Sequence, residues 1–166
     1  MGRYDEALDN LNMAIRMNPQ FAFAYWGRAT VMKRLGKHES ALEDFAEAIR
    51  LDPNNPEIRS SRGCFHGFVL NNIEEALEDF SQAITLDSTN WTYYGWRALM
   101  HYLQGNDFAA IEDNTEALNQ MTTETNPSDR AKVHFARHKS YERIGESEKS
   151  REDYNQAKEI DPSALR

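Results

Sequence analysis

The phrase "ALEDFAEAI" (Ala41–Ile49) returns as "ALEDFSQAI" (Ala76–Ile84), with only two of nine letters changed. Aligned on it, the chain also carries "ALDNLNMAI" from Ala7, "AIEDNTEAL" from Ala110 and "SREDYNQAK" from Ser150, at spacings of 34, 35, 34 and 40. A period of this length marks a stacked array, in which each unit buries its apolar face only against its neighbours. Within each phrase small residues lie seven apart: Ala7/Ala14, Ala41/Ala48, Ala76/Ala83, Ala110/Ala117 and Ser150/Ala157. Leu11, Phe45, Phe80, Asn114 and Tyr154 fall between them, and spacings of 3, 4 and 7 put each set on one helical face. The small side chains let a neighbouring helix approach, and the larger one fills space beside that contact. The differing letters, Ala46/Glu47 against Ser81/Gln82, are expected to face away from the tightest contacts.

Five residues before four of the phrases sits a glycine (Gly2, Gly36, Gly105, Gly145), the place of a helix C-cap. Asn71 stands there in the remaining unit, with one extra residue nearby. "NPQ", "DPNNP", "DSTN" and "DPS" follow the phrases and read as turns. The unit is therefore helix A, tight turn, helix B, turn. Predicted A helices cover roughly 22–35, 56–70, 91–104 and 130–144, and predicted B helices roughly 3–17, 38–51, 73–86, 107–120 and 147–160.

This pattern resembles the tetratricopeptide repeat (TPR) family. The family carries small residues at unit positions 8, 20 and 27, an aromatic near 24 and proline at 32, matched here by Ala29, Ala41, Ala48, Phe45 and Pro53. The resemblance covers nearly the whole chain. It implies an all-α, right-handed superhelical solenoid of antiparallel helix pairs forming a single domain over 1–166. Four full repeats (about 22–55, 56–90, 91–123 and 130–163) would follow an orphan helix B within 2–19.

Two charged positions recur in all four complete units. Helix A carries Arg28, Arg62, Arg97 and Arg137, and helix B carries Asp44, Asp79, Asp113 and Asp153, at separations of 16, 17, 16 and 16. Arginine reaches a carboxylate through two parallel bonds, so a structural Arg–Asp ladder is expected, within a unit or across to the next. An arginine-lined binding surface is the alternative. The third unit departs from the pattern: Asn114 replaces the aromatic, and Phe108 sits one residue later than the usual aromatic. The connection that follows, "NQMTTETNPSDRA", runs about six residues longer than the others. Such an insertion is expected to alter superhelical pitch, with a partner-gripping loop as the alternative, and Ser128 or Asp129 is the expected N-cap of the last A helix.

Composition and motifs exclude several classes. A net charge of −8 argues against a nucleic-acid surface, and no apolar run approaches the ~18 residues of a membrane span. The single cysteine, Cys64, cannot form an internal disulfide and fits a cytoplasmic protein. Cys64 has no activating base in sequence, and no phosphate loop, GxGxxG, GxSxG or HExxH occurs, so no enzyme activity or cofactor is expected. His134, His138 and Glu142 share a helical stripe, but converging partners for zinc are missing, and packing roles are expected for these histidines and for His66 and His101.

In TPR proteins the A helices line the concave side of the superhelix, and the resemblance implies a groove for an extended or helical partner segment. The groove positions are Phe23, Trp26, Thr30, Lys33 and Arg34; then Glu57, Ser60, Cys64, Gly67 and Phe68. The third A helix supplies Thr92, Gly95, Leu99, Tyr102 and Leu103, and the fourth Lys132, Phe135, Lys139, Glu142 and Arg143. An aromatic channel with basic ends suits a protein or peptide partner with acidic and apolar residues. TPR proteins that grip chaperone C-terminal carboxylates place Lys, Asn and Arg where this chain has Trp26, Thr30, Cys64, Gly95 and Leu99, so that clamp is not expected. "WTYYGW" (Trp91–Trp96) is the densest aromatic patch, with Tyr94 in the core and Trp91 and Trp96 more exposed. Two other readings stay open: homo-oligomers that stack through uncapped terminal helices, and an accessory piece of a larger protein.

Overall fold

The computed structural model describes residues 2–165. Among them run α1 (Gly2–Met17), α2 (Ala22–Arg34), α3 (His38–Leu51), α4 (Pro56–Phe65) and α5 (Ile73–Leu86). Then come α6 (Trp91–Gln104), α7 (Asp107–Gln120), α8 (Pro127–Arg143) and α9 (Ser147–Ile160), with no strand among the described residues. A π-helical stretch, His66–Leu70, continues α4, and a 3-10 turn, Pro162–Leu165, follows α9. Each helix packs on its chain neighbours in turn, and α6 also touches α8. The result is an all-α solenoid of antiparallel helix pairs.

The repeated phrase makes the seams of this stack. Ala41, Ala48, Ala76, Ala83, Ala110 and Ala117 are fully enclosed, as are Phe45 and Phe80. Phe45 meets Phe65 of α4 with ring centroids 5.9 Å apart, and Phe80 shares a cluster with Met100 of α6. The large residue of helix B thus packs on the helix A of the next unit. Full burial of one such ring contributes about 1.5–3 kcal/mol.

The tight turns carry positive φ at Gly36 (73°), Gly105 (81°), Gly145 (80°) and Asn71 (56°), where a Cβ is least penalised in asparagine after glycine. Gly2, placed at such a turn by its spacing, instead belongs to α1. The extra residue before Asn71 is absorbed by the π-helical stretch, whose end is marked by the Asn71 N–H donating to the His66 carbonyl. That insertion also turns Gly67 away from the groove position assigned to it. Gly67 is buried, and a Cβ added there would lie 2.5 Å from Met100 Sδ.

The long connection is folded onto the array. Its last part becomes the first turn of α8, which starts at Pro127 rather than near 130. The cap is Asn126, whose Oδ1 accepts the Ser128 N–H at 2.9 Å, so neither Ser128 nor Asp129 plays that part. Proline at the first helical position lacks an N–H that would need a partner, which favours the earlier start. Arg130 Nη2 then donates to the carbonyls of Met121 (3.2 Å) and Thr122 (3.0 Å), tying the remaining loop down.

Arginine forks brace helix A to helix B in every pair. Nε and Nη2 of Arg28 both donate to Asp44 at 2.7 Å, and Arg62 binds Asp79 at 2.9 and 2.7 Å. Arg97 binds Asp113 at 2.8 and 2.7 Å, and Arg137 binds Asp153 at 2.7 and 2.8 Å. In three rungs Nη1 reaches back to the preceding helix B: Arg28 to Asn12 (2.7 Å), Arg97 to Ser81 (3.0 Å) and Arg137 to Thr115 (2.9 Å). Ser81 therefore faces a contact, contrary to the expectation from its phase, because the guanidinium spans the seam between units. Ala46 occupies the matching place before Arg62 and offers no acceptor.

Candidate protein-binding groove

Aromatic side chains mark the exposed side of the A helices. On α2, Phe23 stands 49% exposed beside Phe21 and Trp26, with centroids 6.2 and 5.7 Å away. Trp26 leans into the first core cluster, and the exposed Thr30 spends its hydroxyl on the Trp26 carbonyl (3.0 Å). Lys33 is half-buried and Arg34 exposed. Phe68, 48% exposed at the π-helical stretch, meets Trp96 of α6 edge-on at 5.3 Å. The extra residue in that helix is what carries Phe68 toward α6.

Between α6 and α8 the groove deepens into a cavity of about 390 Å³. Trp91, Trp96, Leu99 and Tyr102 form the α6 wall, and Lys132, Val133, Ala136 and Lys139 the α8 wall. Asn114 of α7 and Asp129 of α8 also line the cavity. A concave site of this size with apolar walls and few polar groups is the usual form of a ligand pocket. Lys132 pairs with Asp129 at 3.0 Å, and Lys139 lies 3.7 Å from Glu142 and 5.3 Å from the Phe135 ring.

Other assigned positions do not line this cavity. Ser60 is buried, and Cys64 packs in part against the Ala76–Phe80–Met100 cluster, where burial pushes its thiol pKa up to about 11. Phe135 turns from the cavity to stack on His138 at 5.5 Å, which in turn meets Tyr154 of α9. Arg143 is a brace: it donates to the Tyr102 carbonyl (3.0 Å), stacks on the Tyr102 ring (4.5 Å) and pairs with Asp107 (3.2 Å). The histidine stripe binds the adjoining helix, with His134 Nδ1 2.8 Å from Asp153 and His138 Nδ1 2.9 Å from Ser150 Oγ. Burial first opposes charge on Asp153, but the Arg137 and His134 hydrogen bonds outweigh it and hold its pKa below the usual carboxylate value.

Helical phase did not mark Asn114, Val133 and Ala136 as lining residues. The signal for Asn114 was available: it is the one complete unit in which the aromatic is lost.

Comparison with known proteins bears on both fold and family. The human "Tetratricopeptide repeat protein 6" is 28% identical over 165 residues, 98% of this chain, which spans only 30% of that relative's length. The crystal structure of MamA superimposes with a TM-score of 0.84 at 17% identity, covering 98% of this chain and 91% of that one. YrrB, described as a TPR protein with an unusual peptide-binding site, gives a TM-score of 0.78 at 20% identity, covering 99% and 82%. At these identities the two structures speak to the fold alone. Two family models described as "Tetratricopeptide repeat" match, one over residues 1–56 and 68–129 and the other over 133–163. With the period, the alanine seams and the helix pairs, these matches make the chain a member of the tetratricopeptide repeat family.

Proposed function

We propose that this chain is a non-enzymatic protein-interaction scaffold whose A-helix face receives a partner segment with apolar anchors and acidic neighbours. The observation that carries the reading is the set of aromatics on the A helices, exposed Phe23 beside half-buried Trp26 and exposed Phe68 against Trp96, the last of which lines the α6/α8 cavity. Exposed apolar surface rimmed by charge is what interaction sites present, and aromatic residues dominate their energetics. Lys33, Arg34, Lys132 and Lys139 supply the basic rim, with Lys132 and Lys139 in exposed pairs to Asp129 and Glu142 that a partner carboxylate can exchange, whereas Arg143 is held by Asp107 and the Tyr102 carbonyl. Trp26, Thr30, Cys64, Gly95 and Leu99 stand where a two-carboxylate clamp needs cations and amides, so a chaperone tail is not the proposed ligand. The peptide-binding site ascribed to YrrB supports this use of the fold. No helix among the described residues is long and apolar enough to cross a membrane, and a cytoplasmic setting belongs to the proposal.

The test is selection of binding segments from a displayed random-peptide library, followed by titration against the purified protein. Selected peptides should be acidic and aromatic, and a Phe68→Ala/Trp96→Ala/Lys139→Ala variant should lose them while keeping its helical content. Peptides that bind that variant as well as the wild type would refute the groove. A second reading, self-association through α1, is favoured by Met13 and Met17, which are 54% and 81% exposed. Sedimentation velocity decides it: a monomer across concentrations removes self-association.

A further inference from the structure

At the α3/α4, α5/α6 and α7/α8 seams, the large-residue place of helix B corresponds to the place three residues after the ladder arginine of the next helix A. Phe45 with Phe65 and Phe80 with Met100 fill two of these seams with apolar bulk. At the third seam the same two places hold Asn114 and Ser140. Both are buried, at 3% and 0% exposure. Ser140 Oγ has no hydrogen-bond partner. The Asn114 carboxamide has none among the described residues either, although Asp113 and Thr115 on each side of it bond to Arg97 and Arg137. Ser140 Oγ is the enclosed unpaired atom at this seam, a destabilising feature, whereas the Asn114 carboxamide lines the cavity and is open to a partner there. The cavity between α6 and α8 opens at this seam, and Asn114 is the residue of α7 that lines it.

We propose that this cavity receives a tyrosine side chain of the partner segment, with its phenol hydrogen-bonded to the Asn114 carboxamide. The inference rests on the groove reading above and names the anchor. At about 390 Å³ the cavity has room for a phenol ring, and it opens where asparagine stands in the place that phenylalanine holds at the α3/α4 and α5/α6 seams. Trp91, Trp96, Leu99 and Val133 supply apolar and aromatic walls suited to ring contact. A phenol both donates and accepts, and so does a carboxamide, whereas an indole only donates and a phenyl ring does neither. Asp129, Lys132 and Lys139 add charged groups to the lining that can meet the polar backbone flanking such an anchor.

The test uses p-cresol as the tyrosine surrogate and toluene as its apolar control, each titrated into isotope-labelled protein and followed by NMR. Saturable p-cresol shifts are expected at the Trp91 and Trp96 indole N–H groups and the Asn114 side-chain amide, with affinity of roughly millimolar order for so small a fragment. Toluene should bind about three- to tenfold more weakly, the worth of one hydrogen bond. Asn114→Ala should erase that preference while still binding both probes. Asn114→Phe should abolish both and raise the thermal midpoint, and Asn114→Leu is the second filling variant if the phenylalanine disturbs folding. Absence of saturable shifts, equal affinity for toluene, or undiminished binding by both filling variants would overturn the proposal. A dimer in sedimentation that vanishes in Asn114→Phe would overturn it too, by assigning the cavity to a second copy. Selected groove peptides that bind wild type and Asn114→Phe equally would remove the tyrosine pocket and leave the groove standing.

Discussion

Replacing Arg62 with alanine isolates what one rung of the ladder contributes. Arg62 makes two bonds to Asp79, at 2.9 and 2.7 Å, and lacks the third partner that the other rungs have. Asp79 is 2% exposed, so Arg62→Ala strands a carboxylate where water cannot reach it. Removing one member of a buried pair costs about 3–5 kcal/mol. The Arg62 side chain keeps 27% of its exposure, which places this rung at the lower end, about 3 kcal/mol. Against a typical total of about 5–15 kcal/mol, the urea midpoint should fall by roughly 1–2 M. The assay is urea unfolding followed by far-ultraviolet circular dichroism and by tryptophan fluorescence, because units of a repeat array can unfold separately. Adding Asp79→Ala should recover about 1–3 kcal/mol by removing the stranded charge. A loss under about 1 kcal/mol for Arg62→Ala would refute the reasoning, since that is the worth of a solvated surface pair. A variant of unchanged stability that lost partner peptides would instead assign the arginines to the binding surface.

Three further outcomes follow from the same contacts. Ala46→Ser should give Arg62 Nη1 the acceptor that Ser81 gives Arg97, with a gain of about 0.5–1.5 kcal/mol less about 0.5 for helix propensity. An unchanged or lower urea midpoint would show that the serine does not reach. Cys64 should resist iodoacetamide near neutral pH, because its thiol titrates at about 11, and alkylation at the rate of a free cysteine would contradict that burial. Burial holds the His66 and His101 pKa values below the ordinary imidazole value, so the unfolded chain takes up more protons as pH falls through about 6.5. Stability should therefore decline from pH 7.5 to 5.5 (values of roughly this range bracket the titration), with a shallower decline in His101→Gln, and a midpoint that holds constant or rises would refute it.

Helix pairing was legible in the letters because a stacked helix can satisfy its burial only with a fixed period of small residues. The same logic exposed the Arg–Asp pairs, whose separation of 16 or 17 keeps them in phase whatever surrounds them. Phase could not show where those arginines send their third N–H, since Asn12, Ser81 and Thr115 lie on the helix of another unit. Nor could it place Gly67, because one residue beyond the usual length is absorbed as a π-helical turn that rotates the residues from His66 onward.

The groove shows the division most clearly. Its aromatic character was readable from Phe23, Trp26, Phe68 and the cluster around Trp91 and Trp96. Which of these meet, and which stand apart, depends on contacts between side chains from different helices. Phe135 and Arg143 carry groove phases yet do not line the cavity, one stacking on His138 and the other bracing Tyr102 and Asp107. Asn114 had been visible as a departure from the repeat. Only the stacking of α6, α7 and α8 turned that departure into a cavity, because lost volume becomes a binding space only where the neighbouring helices hold their distance. Local periodicity, in short-range spacing, specified the brick; the register between bricks specified the site.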